Sequence, residues 1–437
     1  MNTTNVIVIG AGATGLMATY TLTKAGNTVK MLEARNRIGG RMHTTNSDGF
    51  SVPTELGAEF VHGNLPVTLG LLKEAGIGTT NVNFEMWQYK NGAFTQSGEF
   101  VERWDEFLEA VNQLQQDMPL YDFLQQNFSG EEYAAMRIQV ENYVAGYDTA
   151  DIHDVSTFAL RDEWNHEDED AQHRIDGGYV TLANYLADVC HSSGTEILLN
   201  TVVDEVVWKE NFVTVKATNG SVYEANKVIV ALPLGVLQLP ENAEGRIAFN
   251  PPLQEQTNAI NEMGFGSIIK ILLEFDDAFW ESQAVCKRLD ADLSTMGFLF
   301  TYGQPIPTFW TQSPLKTPLI TGWLGGPPAF DKKDATNEEI LDLAIESLSN
   351  AFAISAEALK VKLIAWNVTN WTAETFTRGS YAYDTVKSPD ARKLLQQPVA
   401  DTIYFAGEYL YEGPSMGTVE AALTSGKNVA ELIIGKQ

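Results

Sequence analysis

The chain has 437 residues, 44% of them hydrophobic and 20% charged, an ordinary composition for a folded globular protein and too much chain for a single core. Against 29 Lys and Arg stand 57 Asp and Glu, a formal net charge of −28 that argues against nucleic acid and anionic membrane surfaces as partners and favours cationic small molecules. Only Cys190 and Cys286 occur, which excludes a disulfide framework and a zinc-ligand pattern.

The first element is a β-branched apolar run at 6–9, as expected of a strand buried on both faces of a parallel sheet, and it runs into Gly10-Ala11-Gly12-Ala13-Thr14-Gly15. In such a turn Gly10 lets the chain reverse, Gly12 lets backbone N–H groups approach a pyrophosphate, and Gly15 lets the next helix pack on the strand. Leu16, Ala18, Tyr20, Leu22 and Ala25 give that helix its apolar side, and Gly26 ends it before a second strand at 28–32. The helix N-terminus at Ala13 and Thr14 points partial positive charge at phosphate, and Glu33 stands where a carboxylate accepts hydrogen bonds from an adenosine ribose. Strand, glycines, helix, strand and acid in this order describe a dinucleotide clamp. The polar residues 1–5 lead straight into the first strand, and no stretch reaches membrane-spanning length, so a soluble, cytoplasmic protein is expected.

From 76 to 176 the glycine motifs stop and amphipathic segments at 100–117 and 130–145 predict a helical insertion covering one side of a pocket. The acidic run 162–170 contains His166, with His173 beyond; runs of like charge are solvated loops, and no metal site is expected. Gly177-Gly178 opens another helix. Strands follow at 196–199 and 201–207, then a hairpin of 213–218 and 221–224 about Asn219-Gly220, and a buried strand at 227–231. The strand 266–275 carries one lysine among large apolar residues, with Lys270 sharing a face with Ile268 and Leu272. Either it reaches a wet cavity or the strand is an edge with one polar residue facing water. A last buried strand, 402–406, ends in Gly407-Glu408, and 417–422 opens the final helix.

Several separated blocks resemble the flavin amine oxidases of the glutathione-reductase-like superfamily, particularly the polyamine oxidase branch. They are Glu33-Ala34-Arg35 with Gly39-Gly40-Arg41, the segment 54–63, 232–237, 266–280, 366–371, 378–383, 402–408 and 417–422. The resemblance implies an α/β protein: a Rossmann-type FAD domain from 1–76, 174–246 and 395–437, and an α+β substrate domain with a mixed sheet and the helical insertion from 77–173 and 247–394.

It implies FAD as cofactor, with Arg41 a charged donor for phosphate and Leu56, Gly57, Ala58 and Glu59 passing the flavin ring. Val203 would meet adenine, Glu408 the ribityl and phosphate region, and Gly417, Thr418 and Val419 the flavin pyrimidine at a helix N-terminus. Lys270 would hold a water at flavin N5. Tyr381 would be one of two aromatic walls of the amine path, Trp371 would pack near the isoalloxazine and help shape the approach, and Glu59 and His62 would face substrate, Glu59 attracting the amine. Ser380 replaces the cysteine that monoamine oxidases bond to flavin, so the FAD should be non-covalent. The second wall aromatic is missing from Pro414-Ser415-Met416-Gly417-Thr418, leaving Tyr409 or Tyr411 to reach in.

The reaction implied is hydride loss from an amine α-carbon to flavin N5, imine hydrolysis, and reduction of O2 to H2O2, with an extended amine or polyamine favoured by Glu59, the acidic charge and the 232–237 block. An amine dehydrogenase with another acceptor, an L-amino acid oxidase, a carbon–carbon desaturating FAD oxidoreductase and a non-catalytic FAD-binding protein stay open. So does the oligomeric state.

Overall fold

A computed structural model describes residues 5–46, 49–82, 85–97, 101–165 and 172–435. The β-branched run forms the strand Val6–Ile9, all four residues buried, paired in parallel with Val29–Leu32 on one side and Lys227–Val230 on the other. Glu196–Leu198 and Ile403–Phe405 complete a five-stranded parallel sheet. Central strands of such a sheet are covered on both faces, which is why the run shows no polar alternation. The helix Ala13–Lys24 packs between Val419–Ile434 and Tyr179–Ser192, burying Leu16, Leu182 and Leu423 in one core. Glu420, in the first turn of Val419–Ile434, accepts hydrogen bonds from the Val67 and Thr68 N–H groups and so caps the helix Pro66–Ala75.

The expected hairpin forms as Phe212–Ala217 and Val222–Ala225, antiparallel, and joins Val203–Lys209. The strand Ala248–Asn250 adds to the same sheet, parallel to Val203–Lys209. Helices Gln254–Asn261 and Ser388–Leu395 pack together, and Ile260 and Leu395 share a core with Ile7 and Val228. Leu253, Ile260, Met263, Ala382, Ala391 and Leu395 share this core with the parallel sheet.

A mixed seven-stranded sheet follows, in the order Leu363–Asn370, Ile268–Phe275, Leu319–Gly325, Thr308–Thr311, Met296–Thr301, Glu85–Lys90, Ala93–Gln96, with the Met296–Thr301 and Glu85–Lys90 pair parallel. Ile268–Phe275 is paired on both sides and buried throughout, so the edge-strand alternative for Lys270 is removed. Alternation sends Ile269, Ile271 and Leu273 into a core under helix Asn337–Phe352, and Leu272 to the opposite face with Leu56.

Helices Trp104–Gln113, Leu120–Asn127, Ala134–Tyr147 and Thr157–Trp164 share a separate core of Phe107, Phe123, Val140 and Leu160, which is the helical insertion. The acidic run is described only to Asn165; His166 and residues 167–171 lie outside the described residues. His173 sits in the strand Gln172–Ile175, its Nδ1 2.7 Å from Asn81 Oδ1. Among the described residues, no helix is long and apolar enough to cross a membrane.

Candidate active site

The turn after Val6–Ile9 and one face of the seven-stranded sheet open into one cavity of about 1350 Å³, larger than the roughly 300–1,000 Å³ of ordinary small-molecule sites. Of the side chains and turns singled out above as catalytic or cofactor-binding, all but Gly15 line it. Gly15 lies behind the wall: a Cβ there would collide with the Gly10 carbonyl oxygen, so glycine is required by helix–strand packing alone.

Gly12 differs. A Cβ on it would meet no protein atom closer than Gly40 Cα at 4.0 Å, and its backbone is extended, so the fold does not need a glycine here. What its missing side chain leaves open is the cavity. The helix Ala13–Lys24 begins at Gly12 with no side-chain cap, so its first N–H groups are available to an anion. Glu33 is buried, its Oε2 accepting from Ala11 N at 2.7 Å and its Oε1 from Arg35 N at 2.9 Å, which fixes the carboxylate at the cavity wall. Arg35 pairs with Glu374 and Thr377 across the chain. The Arg41 guanidinium bonds the buried Glu408 carboxylate at 3.0 Å and the Ser380 carbonyl. Thr418 caps the helix Val419–Ile434, whose N-terminus also meets the cavity. An open glycine cradle, an uncapped helix start and an oriented acid are the donor and acceptor set that a dinucleotide needs, and these residues fit FAD.

On the sheet side, Lys270 is buried, with Nζ 2.6 Å from Glu59 Oε2 and 3.1 Å from the Gly57 carbonyl oxygen. Glu59, expected to face substrate, lines the cavity as part of a hydrogen-bonded cluster. Its other oxygen accepts from Arg174, from Trp310 Nε1 at 3.0 Å and from Gln312 Nε2 at 3.4 Å. Burial alone would raise its pKa, but the charges of Lys270 and Arg174 outweigh that and hold it at about 2. Its charge is paired with two cations in the cavity wall.

His62 is solvent-accessible yet surrounded by protein, as a side chain facing an internal cavity must be; that enclosure lowers its pKa, favouring neutral imidazole. Trp371 is buried and donates to the Leu56 carbonyl at 2.8 Å. The Ser380 hydroxyl lies 2.6 Å from Thr149 Oγ1. Tyr381 bonds the Tyr147 carbonyl, and its ring lies over Gly417, where a Cβ would stand 2.7 Å from it. Burial, then the charges of Asp148 and Glu163, raise its pKa and keep it a phenol.

Tyr409 and Tyr411 do not line the cavity: Tyr409 is buried in the core with Ile7 and Phe405. The aromatic side chains that do line it with Tyr381 include Tyr143 and Tyr147 on the helix Ala134–Tyr147, stacked 5.8 Å apart. Arg174, Trp310, Gln312, Tyr147 and Asp148 were not foreseen. Each sits in a segment without a local motif, and only Arg174, just before Gly177-Gly178, stands near one.

The family model for flavin containing amine oxidoreductases matches residues 13–434. The chain belongs to that family. It is an enzyme of FAD-dependent amine oxidation. Polyamine oxidase 4 of Oryza sativa subsp. japonica is 26% identical over 98% of this chain and 88% of its own length, and polyamine oxidase 2 of Arabidopsis thaliana 28% over 98% and 87%. Human lysine-specific histone demethylase 2 is 27% identical over 92% of this chain and 50% of its own. Among solved structures, putrescine oxidase bound to putrescine superposes with a TM-score of 0.78 at 22% identity, covering 99% of both chains. Cyclohexylamine oxidase from Brevibacterium oxydans gives 0.79 at 19%, again over 99% of both. These structures share the fold.

Proposed function

We propose that this enzyme oxidises an extended amine carrying more than one positive charge, with O2 as the final acceptor and H2O2 as a product. The observation that carries this reading is that the acidic residues Asp148 and Glu163 are among those lining the same cavity as Lys270 and Tyr381, so the cavity that receives the substrate has acidic residues in its wall. The net charge of −28 favours the approach of such a cation, and the polyamine oxidases among the relatives agree with it.

The chemistry supplied by bound FAD is acceptance of a hydride equivalent from the carbon beside the amine nitrogen. The protein binds, orients and excludes water. Gly10, Gly12, Glu33 and Arg41 would hold the adenosine and phosphate end, and Gly417, Thr418 and Val419 the far end, from the parallel-sheet domain. Ser380 has no thiol, so the cofactor is held without a covalent bond. Two Lys270 N–H groups are taken by Glu59 and Gly57, leaving the third to hold a water in the cavity. Neutral His62 can accept a hydrogen bond from the amine, and Tyr381 and Trp371 confine its path.

The test is anaerobic mixing of the holoenzyme with a panel of monoamines, diamines, triamines and amino acids, followed by air. Bleaching of oxidised flavin by di- and triamines, with peroxide on reoxidation, is expected. Bleaching without peroxide assigns a dehydrogenase, and bleaching only by monoamines or amino acids overturns the substrate class. No bleaching by any amine leaves an FAD-binding protein or a carbon–carbon desaturase. Lys270→Met should retain FAD and slow flavin reduction or reoxidation; wild-type rates in both would remove Lys270 from the mechanism.

A further inference from the structure

The Glu59 carboxylate gathers four partners from three separate parts of the chain. Lys270 comes from Ile268–Phe275, Arg174 from Gln172–Ile175, Trp310 from Thr308–Thr311, and Gln312 follows that strand. Arg174 is itself fixed: one nitrogen donates to the Thr311 carbonyl at 3.1 Å, another to Gln312 Oε1 at 3.1 Å, and its guanidinium lies 4.5 Å from the centre of the Phe60 ring. Two cations and one anion thus stand together, with the Lys270 and Glu59 side chains only 1% and 4% exposed. In so dry a place neither cation turns freely, and a change of one charge is felt strongly by whatever occupies the cavity.

An ammonium has three donors. With Glu59 Oε2 and Gly57 O occupying two, the direction of the third is set by geometry, and Lys270 lines the cavity. Glu59 in turn is set by Arg174, Trp310 and Gln312. Without them a single carboxylate on a loop would let the lysine head swing.

We infer that Glu59 and Arg174 are positioning residues for Lys270, which together aim its remaining N–H into the cavity and leave one net positive charge beside the cofactor. This rests on the reading that Lys270 serves the flavin chemistry. The two substitutions that break the network then have opposite electrical signs. Glu59→Gln removes an anion and should shift the flavin midpoint potential upward; Arg174→Met removes a cation and should shift it downward. Glu59→Asp and Arg174→Lys keep the charges and should leave the potential close to that of the wild type. Flavin reduction by an amine should slow in Glu59→Gln by about a hundredfold, the scale of misplacement by an ångström, and recover in large part in Glu59→Asp.

Potentials are read by titrating the holoenzyme with dithionite, which needs no amine substrate. A wild type that no amine reduces would therefore defeat the proposed function while leaving the charge assignment measurable. Shifts of the same sign in Glu59→Gln and Arg174→Met, or none, would overturn the inference, since loosening of the site has no reason to follow the sign of the charge removed. Should Glu59→Gln fail to fold, the Arg174→Met and Arg174→Lys pair decides alone: a downward shift in the first and not the second supports it, and equal potentials overturn it.

Discussion

Arg41 and Glu408 are 367 residues apart in the chain and meet at 3.0 Å. The pair ties the loop after the second strand to the end of the strand Ile403–Phe405, and Glu408 also accepts from the Ala382 N–H. Glu408 is 3% exposed, so its removal leaves a partly enclosed guanidinium without its counter-ion. Glu408→Ala should destabilise the apoprotein by about 3 kcal/mol, with Glu408→Gln losing less because its amide oxygen still accepts from Ala382. Thermal unfolding of the flavin-free protein checks both, and equal melting of all three would show the pair to be neutral.

The two glycines of the first turn should separate cleanly. Gly15→Ala puts a methyl group into the Gly10 carbonyl and should lower stability whether or not flavin is present. Gly12→Ala has room in the protein and should melt within about 0.5 kcal/mol of the wild type as apoprotein, while weakening FAD at least tenfold, about 1.4 kcal/mol. Flavin fluorescence quenching on reconstitution measures the second effect. Unchanged affinity would mean that the cofactor does not approach Gly12.

Glu55 predicts a pH dependence. Its carboxyl accepts from the Tyr179 N–H at 2.7 Å and from the Thr44 hydroxyl at 2.9 Å. Burial nevertheless dominates and raises its pKa from 4.5 to about 7. A folded-state value above the unfolded one means stability that is fully present below about 4.5 and lost as pH rises through about 7. Relative to Glu55→Gln, the wild type should lose roughly 3 kcal/mol between those limits. Urea midpoints across the range test this, and parallel curves would show that Glu55 keeps an ordinary pKa.

Ser380 sets the last expectation. Its side chain is a hydroxyl engaged with Thr149, and it offers no sulfur for a thioether. Acid precipitation of the holoenzyme should therefore release all the flavin into the supernatant, and flavin retained in the pellet would point to a different attachment.

How far the sequence could be read depended on the distance over which each feature is built. The run at 6–9 with Gly10, Gly12 and Glu33 is local: consecutive residues make a strand, a turn and a helix start whose backbone geometry is largely their own. Their lining of the cavity followed from the pattern. Lys270 was legible as an anomaly, one charge in an apolar strand, but whether it faced bulk water or a cavity depended on strands 319–325 and 363–370 beside it.

The pairing of Glu59 was not legible for the same reason. Its partners Arg174, Trp310 and Gln312 lie 115, 251 and 253 residues away, and nothing near Glu59 announces them. Tyr409 and Tyr411 stand close in sequence to the turn at Gly417, yet the short helix Glu408–Leu410 directs Tyr409 into the core. The pairing of Ala248–Asn250 with Val203–Lys209 was not legible because a three-residue strand carries too little pattern to reveal its partner.

By itself, then, the sequence determined the nucleotide cradle, the order of the blocks and the presence of one lysine in an apolar strand, because short-range backbone conformation and hydrophobic periodicity are written residue by residue. Only the tertiary structure decided which charges meet. Glu59 pairs with Lys270 and Arg174, and that pairing depends on contacts between segments far apart in the chain.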